Sequence, residues 1–199
     1  GLNWLKKVKD ETGLKTTVEV AKAKHVELAI KHDVDMLWVG ARTTGNPFAI
    51  QEIADALKNT DITVLIKNPI NPEPNLWIGA IERLQDAGVY NIAAIHRGFF
   101  AYKNSKYRNI PQWQLALDLK RKFPDIPMIC DPSHISGNSN LIMEIAQKAM
   151  DMSYDGLMIE THIEPKNALS DKEQQITPLE LDEILNNLIV RNFDTDDKA

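Results

Sequence analysis

A single cysteine, Cys130, excludes an internal disulfide bond in this 199-residue sequence and is typical of a protein from a reducing compartment. No apolar stretch is long enough to cross a membrane, and the first residues lack the pattern of a signal peptide. A long basic run is also missing, and the net charge of −5 argues against a general nucleic-acid surface. We therefore expect a cytoplasmic protein with neither membrane nor nucleic-acid partners.

A regular alternation of strand and helix patterns is what the sequence does contain. After a helix at 2–12, six strand–helix repeats follow, with strands predicted at 15–20, 36–41, 63–68, 91–97, 127–131 and 156–161. Because apolar strands alternate with helices, we predict a parallel sheet covered by helices. The capping-box sequence Thr177-Pro178-Leu179-Glu180 predicts the start of the last helix.

Two α/β architectures have this alternation, an open doubly wound sheet and a (β/α)₈ TIM barrel. A dinucleotide-binding sheet would need a glycine-rich turn after an early strand, and the sequence has none. A barrel predicts functional residues at the carboxyl ends of successive strands. Such residues do follow the strands: Glu19, Arg42, Lys67, His96, Arg97, Asp131, His134, Glu160 and His162. The barrel is therefore favoured.

The strand count indicates a partial barrel. A complete one has eight strands and about 250 residues, whereas six strands are predicted here and the chain begins inside a helix. We therefore expect roughly two βα units upstream of Gly1, and two strand edges with unpaired backbone groups in this chain. Residues 1–191 are interpreted as a partial barrel domain, and 192–199 as a polar tail or linker.

Three cationic residues occupy equivalent positions at the ends of consecutive strands, namely Arg42, Lys67 and Arg97. Each one alone could pair with a neighbouring acid such as Glu19. Three of them at equivalent positions in an acidic protein favour an anionic ligand instead, a phosphate or a carboxylate.

His134, Glu160 and Asp171 are the candidate metal ligands. In a strand at 156–161, Met158, Glu160 and His162 would share one face because side chains alternate. Imidazole and carboxylate ligands from neighbouring strand ends suit a divalent ion such as Zn, Fe or Mn. A lone histidine after proline is more often a turn residue, but the trio at adjoining strand ends favours a metal.

Other ionisable residues receive more ordinary interpretations. Cys130 alternates with Asp131 and is expected to pack in the core rather than bind the metal. His162 is interpreted as a substrate or supporting group. Solvent-exposed positions are expected for a further set: His25, His32, Lys103, Lys106 and Arg108. Of these, Arg108 is the one most in need of a test.

Five motifs occur in the order and spacing of one enzyme family: GARTT (40–44), LIKNP (65–69), HRGF (96–99), DPSH (131–134) and IETH…ALSD (159–171). Together they resemble 3-deoxy-D-arabino-heptulosonate 7-phosphate (DAHP) synthase, in the form associated with or fused to chorismate mutase. The likeness extends from the first predicted helix to the last.

The resemblance implies a metal-dependent condensation of phosphoenolpyruvate with erythrose 4-phosphate, the first step of aromatic amino acid biosynthesis. Arg42, Lys67 and Arg97 would bind phosphoenolpyruvate, with the backbone amide of Ala41. Glu19 would lie near the attacking water, so that Glu19, Lys67 and His134 form the implied catalytic set. The implied metal ligands for Mn, Fe or Zn are His134, Glu160 and Asp171. Asp131 and His162 would contact substrate.

Two family motifs are missing from the sequence, a Gly-Pro-Cys metal-ligand motif and a Lys-Pro-Arg-Thr substrate motif. We therefore expect this chain alone to be inactive or nearly so. The alternatives are a non-catalytic fragment and a sibling synthase that uses arabinose 5-phosphate or an amino sugar. The resemblance further implies a homo-oligomer, and a chorismate mutase domain that could follow Arg191 in a longer chain.

Overall fold

The computed structural model describes residues 1–102 and 105–191, which divide into two compact units. Residues 1–95 and 113–126 form the first unit, and residues 96–112 and 127 onward form the second. The predicted tail at 192–199 and Lys103 lie outside the described residues. Among the described residues, no helix combines the length and the apolar character needed to cross a membrane.

Strands and helices alternate along the first unit as predicted. The elements are α1 (Leu2–Thr12), β1 (Thr17–Val20), α2 (Ala23–Lys31), β2 (Met36–Val39), α3 (Ala41–Thr44), α4 (Pro47–Leu57), β3 (Thr63–Lys67), α5 (Pro74–Asp86), β4 (Ile92–His96) and α6 (Trp113–Lys122). The last residue of β4 is counted with the second unit.

Parallel pairing in the first unit determines which side chains share a face of the sheet. Val39 lies opposite Val20 on one side and Ile66 on the other, and all three are fully buried under the helices. Side chains alternate along a strand, so Glu19 and Trp38 share the opposite face. Polar and aromatic side chains on that opposite face are therefore available for a site.

Helices of the first unit begin and pack as their sequences predict. Asn46 caps α4 by accepting hydrogen bonds from the backbone N–H groups of Phe48 and Ala49, with Pro47 at the first helical position. Trp77 of α5 is fully buried and donates its indole N–H to the Ile66 carbonyl at 3.1 Å. Its apolar ring fills the core while its one polar atom is satisfied.

The second unit contains two short parallel strands and the remaining helices. These are β5 (Met128–Cys130), α7 (Pro132–Ser136), α8 (Ile142–Asp151), β6 (Gly156–Leu157) and α9 (Pro178–Asn187), with 3₁₀ turns at Ser139–Leu141, Pro165–Asn167 and Lys172–Gln174. The strands pair through Ile129 with Gly156 and Cys130 with Leu157. Cys130 is fully buried, as expected, and burial raises the pKa of its thiol.

The sequence-based element boundaries differ from the structure in two informative ways. The short helices α3 and α7 were not expected, and each directly follows a strand. Strand β6 ends at Leu157 rather than at 161, because the Glu160 N–H is donated to Ser133 Oγ at 3.0 Å instead of a neighbouring strand. The predicted capping box is confirmed at the start of α9.

The described residues thus contain six strands whose order follows the chain, β1 to β6, with helices between them. This is the predicted partial (β/α)₈ pattern. Polar residues that follow the strands are where a barrel carries its chemistry.

Candidate active site

Three predicted metal ligands come together in the second unit. Ligand atoms of His134, Glu160 and Asp171 all lie within 4.8 Å of one another, and all three residues are half-buried. His134 Nε2 is 3.7 Å from Glu160 Oε1. One imidazole and two carboxylates form a donor set that Mn, Fe and Zn accept, so these residues fit a divalent ion.

Helix α7 fixes the position of His134. Asp131 caps this helix by accepting the His134 backbone N–H on Oδ1 at 3.0 Å, and Pro132 occupies the first helical position. The second oxygen, Asp131 Oδ2, lies 2.9 Å from His134 Nδ1.

The His134 ring is not oriented to form a hydrogen bond between Nδ1 and Asp131. The buried Nδ1 lies within ion-pair distance of Asp131. It makes no hydrogen bond with any residue that the structure describes, because its N–H points away from the available acceptors. The distance of 2.9 Å between Nδ1 and Oδ2 nevertheless makes Asp131 the carboxylate partner of this ring. A histidine that binds metal through one nitrogen commonly donates the other to a carboxylate, which agrees with Nε2 facing Glu160.

The backbone around the two carboxylate ligands is held by irregular structure. Glu160 donates its N–H to Ser133 Oγ and accepts the Ile176 N–H at 3.1 Å on its carbonyl oxygen. Asp171 has a φ of 53°, in the left-handed region that aspartate adopts more readily than most residues. This conformation turns the chain directly into the 3₁₀ turn that contains Gln174.

Arg108 and Gln174 connect the two candidate carboxylate ligands, Glu160 and Asp171, to each other. Arg108 Nη1 donates to Asp171 Oδ1 and to Gln174 Oε1, each at 2.6 Å. Gln174 is almost fully buried, and its Nε2 donates to Glu160 Oε2 at 2.7 Å. Arg108 therefore pairs with a candidate metal ligand and is not merely a solvated loop residue.

Arg97 is a buried guanidinium in the same unit. Its Nη1 donates to Asn109 Oδ1 at 2.9 Å, and Asn109 Nδ2 donates to the His134 carbonyl at 2.7 Å. Gly98 permits this contact, because a Cβ added there would lie 2.9 Å from both the carbonyl oxygen and the Cβ of Asn109. Asn109 thus connects the candidate anion-binding arginine to the helix that carries His134, the candidate metal-binding histidine.

His96 is fully buried and belongs to the framework of the second unit. Its Nε2 lies 2.6 Å from the Pro111 carbonyl, and its Nδ1 lies 3.0 Å from the Tyr154 hydroxyl. A carbonyl only accepts, so Nε2 carries the proton and Nδ1 accepts from Tyr154. Burial lowers the pKa of His96 to about 4, although the Pro111 carbonyl opposes this shift.

The first unit contains the remaining predicted substrate residues. Lys67 is buried, with Nζ 4.5 Å from the centre of the Trp38 ring, a cation–π distance. Arg42 lies on α3 next to Ala41 and is exposed. Glu19 is also exposed, and its carboxylate lies against Gly40, in the space that a side chain there would occupy.

Two other predicted residues lie in the loops of the second unit. The His162 backbone N–H is donated to the Ile176 carbonyl, and its ring Nδ1 accepts the Glu164 N–H at 2.9 Å. Lys106 pairs with Glu144 at 2.6 Å on the surface, as expected for a solvated loop cation.

Sequence reasoning missed Gln174, Asn109 and Ser133 as contributors to the site. Asn109 directly follows Arg108, and Gln174 follows Asp171 by three residues in the polar loop. Residues with amide or hydroxyl side chains are common outside strands, so none of these three positions was distinctive in the sequence.

One protein-family model and several known proteins match this chain. A model of the DAHP synthetase I family matches residues 1–192. A phospho-2-dehydro-3-deoxyheptonate aldolase from Thermotoga maritima is 24% identical over 176 residues, which are 88% of this chain and 50% of that protein. A 2-dehydro-3-deoxyphosphooctonate aldolase from Helicobacter acinonychis is 27% identical over 208 residues, covering 95% of this chain and 73% of that protein.

Solved structures agree on the fold. A truncated form of 3-deoxy-D-arabino-heptulosonate 7-phosphate synthase from Thermotoga maritima matches with a TM-score of 0.83 at 22% identity, over 94% of this chain and 68% of that one. A DAHP synthase structure from the same organism also gives 0.83, over 53% of its chain. The partial (β/α)₈ fold is confirmed, and the chain spans about half the length of the curated DAHP-type relative.

Proposed function

This chain belongs to the DAHP synthetase I family, as its sequence motifs indicated, and on that premise we propose that it forms the catalytic part of a DAHP synthase. Such an enzyme condenses phosphoenolpyruvate with erythrose 4-phosphate to give DAHP and phosphate, the first step of the shikimate pathway. We assign the catalytic domain to residues 1–191. The single cysteine agrees with a cytoplasmic location.

The cluster of His134, Glu160 and Asp171 is the observation that carries this proposal, with the buried Arg97 in the same unit. Asn109 connects the two groups by one hydrogen bond to Arg97 and one to the His134 carbonyl. A fixed cation and a potential Lewis-acid site are what a phosphorylated acid and an aldehyde require.

The side chains have separate roles in the proposed reaction. Lys67, Arg42 and Arg97 bind the phosphate and carboxylate of phosphoenolpyruvate, and Ala41 contributes its backbone N–H. Asn109 orients the Arg97 guanidinium before substrate binds, so the arginine needs little reorganisation on binding. A divalent ion held by His134, Glu160 and Asp171 would supply Lewis-acid polarisation of the aldehyde carbonyl.

The bond changes balance without an oxidant or reductant. The methylene carbon of phosphoenolpyruvate forms a bond to the aldehyde carbon, whose oxygen becomes a hydroxyl group. Water adds to the adjacent carbon, and inorganic phosphate leaves from that carbon as the ketone forms. Glu19 is proposed to accept a proton from this water, and Asp131 and His162 to contact the sugar phosphate.

A sibling reaction with arabinose 5-phosphate is the second candidate. Its support is the similarity of 27% over 208 residues to the Helicobacter acinonychis protein named 2-dehydro-3-deoxyphosphooctonate aldolase. The family match over residues 1–192 favours erythrose 4-phosphate.

Binding and turnover should be measured separately. We expect phosphoenolpyruvate to bind in a calorimetric titration, and Lys67→Met to weaken that binding about 10- to 100-fold, the value of one or two charge-assisted hydrogen bonds. Lys58→Met is the control, because Lys58 is exposed and, among the residues that the structure describes, pairs with Asp55. Equal binding by the parent and both variants would contradict the substrate assignment.

Turnover with Mn²⁺ then distinguishes the aldehydes. Product from erythrose 4-phosphate alone supports the DAHP synthase proposal, and product from arabinose 5-phosphate alone would replace it with the sibling reaction. The assay should include a longer form of the protein that matches the curated relative in length, since the present chain spans about half of it. A folded, extended form that turns over neither aldehyde would favour a non-catalytic role.

A further inference from the structure

The two oxygens of Glu160 have different surroundings. Oε1 is the oxygen 3.7 Å from His134 Nε2, whereas Oε2 accepts the Gln174 amide N–H at 2.7 Å. One oxygen is therefore turned towards the prospective metal position, and the other is occupied by a neutral donor. A glutamate without such a partner can rotate freely about its side-chain bonds.

Gln174 is in turn fixed from its other side. Its Oε1 accepts from Arg108 Nη1, so the amide orientation is determined by a donor that cannot be reversed. Only 1% of Gln174 is exposed, which leaves its amide few alternative partners. A buried amide with both ends bonded is a rigid connector.

Arg108 completes the connection to the third ligand. The same Nη1 that bonds Gln174 also bonds Asp171 Oδ1 at 2.6 Å. The Arg108 backbone is itself anchored, because its N–H is donated to the Ser136 carbonyl at 3.1 Å. Its side-chain stem also packs against Gly137, where an added Cβ would lie 2.5 Å from Arg108 Cβ.

We propose that Arg108 and Gln174 are positioning residues that orient Glu160 and Asp171, so that the metal site is assembled before an ion arrives. Gln174 restricts Glu160 to presenting one oxygen, and Arg108 sets the direction of the Asp171 carboxylate. This inference rests on the proposed metal site. Removing a residue that hydrogen-bonds to a metal ligand typically lowers the metal affinity about 10- to 100-fold.

Metal titration of single variants tests the inference without an activity assay. Gln174→Met keeps the length and apolar volume of the side chain but removes both amide contacts. We expect its Mn²⁺ affinity to fall about 10- to 100-fold, with a changed Co²⁺ absorption spectrum because the ligand geometry is altered. Gln175→Met is the control, since the Gln175 amide bonds the Ser170 carbonyl and no ligand.

A second variant keeps the test decisive if the first one does not fold. Arg108→Lys retains the positive charge on a half-exposed side chain but replaces the planar guanidinium, whose Nη1 donates both bonds, with a flexible ammonium group. A weaker Mn²⁺ affinity therefore reports orientation rather than charge. If folded Gln174→Met and Arg108→Lys both bind Mn²⁺ as the parent does, with the parent Co²⁺ spectrum, the inference is wrong. If Gln174→Met does not fold, the Arg108→Lys result decides.

The parent titration separates this inference from the proposed function. A parent chain that binds Mn²⁺ while the variants bind equally well removes the positioning role and leaves the metal site intact. A parent chain that binds neither Mn²⁺ nor Co²⁺ removes the metal site, and the positioning role with it.

Discussion

The candidate ligands of the second unit and the candidate substrate residues of the first unit are held in opposite ways. In the second unit, His134, Glu160 and Asp171 each contact a side chain that is bonded further into the structure. In the first unit, Arg42 and Glu19 are exposed, and neither makes an ion pair with any residue that the structure describes. Lys67 is the buried exception, with its ammonium over Trp38.

Under the proposed function, the difference follows from what each group would bind. A metal ion needs several ligand atoms at fixed distances, so its ligands are stabilised by hydrogen bonds in advance. A phosphate is itself a large anion and can order an exposed arginine when it binds. The comparison therefore predicts that substitutions in the second unit cost folding stability, whereas substitutions at Arg42 and Glu19 affect mainly ligand binding.

Acid should destabilise the framework of the second unit through His96. The pKa of His96 is about 4 in the folded protein, against 6.5 for a free histidine. Between these values the unfolded chain binds a proton that the folded chain does not, so the free energy of unfolding falls as the pH drops from 6.5 towards 4. The loss would total about 3 kcal/mol, at 1.36 kcal/mol for each pKa unit.

Nuclear magnetic resonance of the imidazole signals, together with urea unfolding at pH 7 and pH 4, measures this effect. A His96 signal that titrates with a midpoint near 6.5 would show that burial does not keep the ring neutral.

Asn109→Ala should produce the next largest effect. The change removes the acceptor Oδ1 from the buried Arg97 and the donor Nδ2 from the His134 carbonyl, so two hydrogen bonds of the second unit are lost. We expect a loss of about 1–3 kcal/mol in the free energy of unfolding, measured by urea denaturation. Asn186→Ala is the matched control, because its amide bonds Asp182 on an exposed helix face. Equal stability of the two variants would contradict the bridging role of Asn109.

Arg42→Ala should have the smallest effect on stability and so sharpens the comparison. Its side chain is exposed, and we expect the free energy of unfolding to change by less than about 0.5 kcal/mol. Phosphoenolpyruvate affinity should nevertheless fall about tenfold if the guanidinium contributes one charge-assisted hydrogen bond. Paired measurements of urea unfolding and ligand titration check both statements. A large loss of stability would mean that Arg42 is a structural residue.

Much of the fold could be read from local patterns in the sequence. Apolar strands alternating with amphipathic helices predicted the order of elements, and the capping box located the start of α9 correctly. The same patterns overextended β6 to residue 161, because the Glu160 N–H bonds a serine hydroxyl rather than a strand carbonyl. Helices α3 and α7 are too short to produce a helical period and were missed.

By itself the sequence determined the alternation of strands and helices and the residues that follow the strands, including His134, Glu160 and Asp171, because periodicity and chain order express local geometry. Only the tertiary structure decided which other residues support them. Arg108 meets Asp171 across 63 residues of sequence, and Asn109 meets the His134 carbonyl across 25. Such contacts leave no periodic trace in the sequence, because they depend on where separate loops meet after folding.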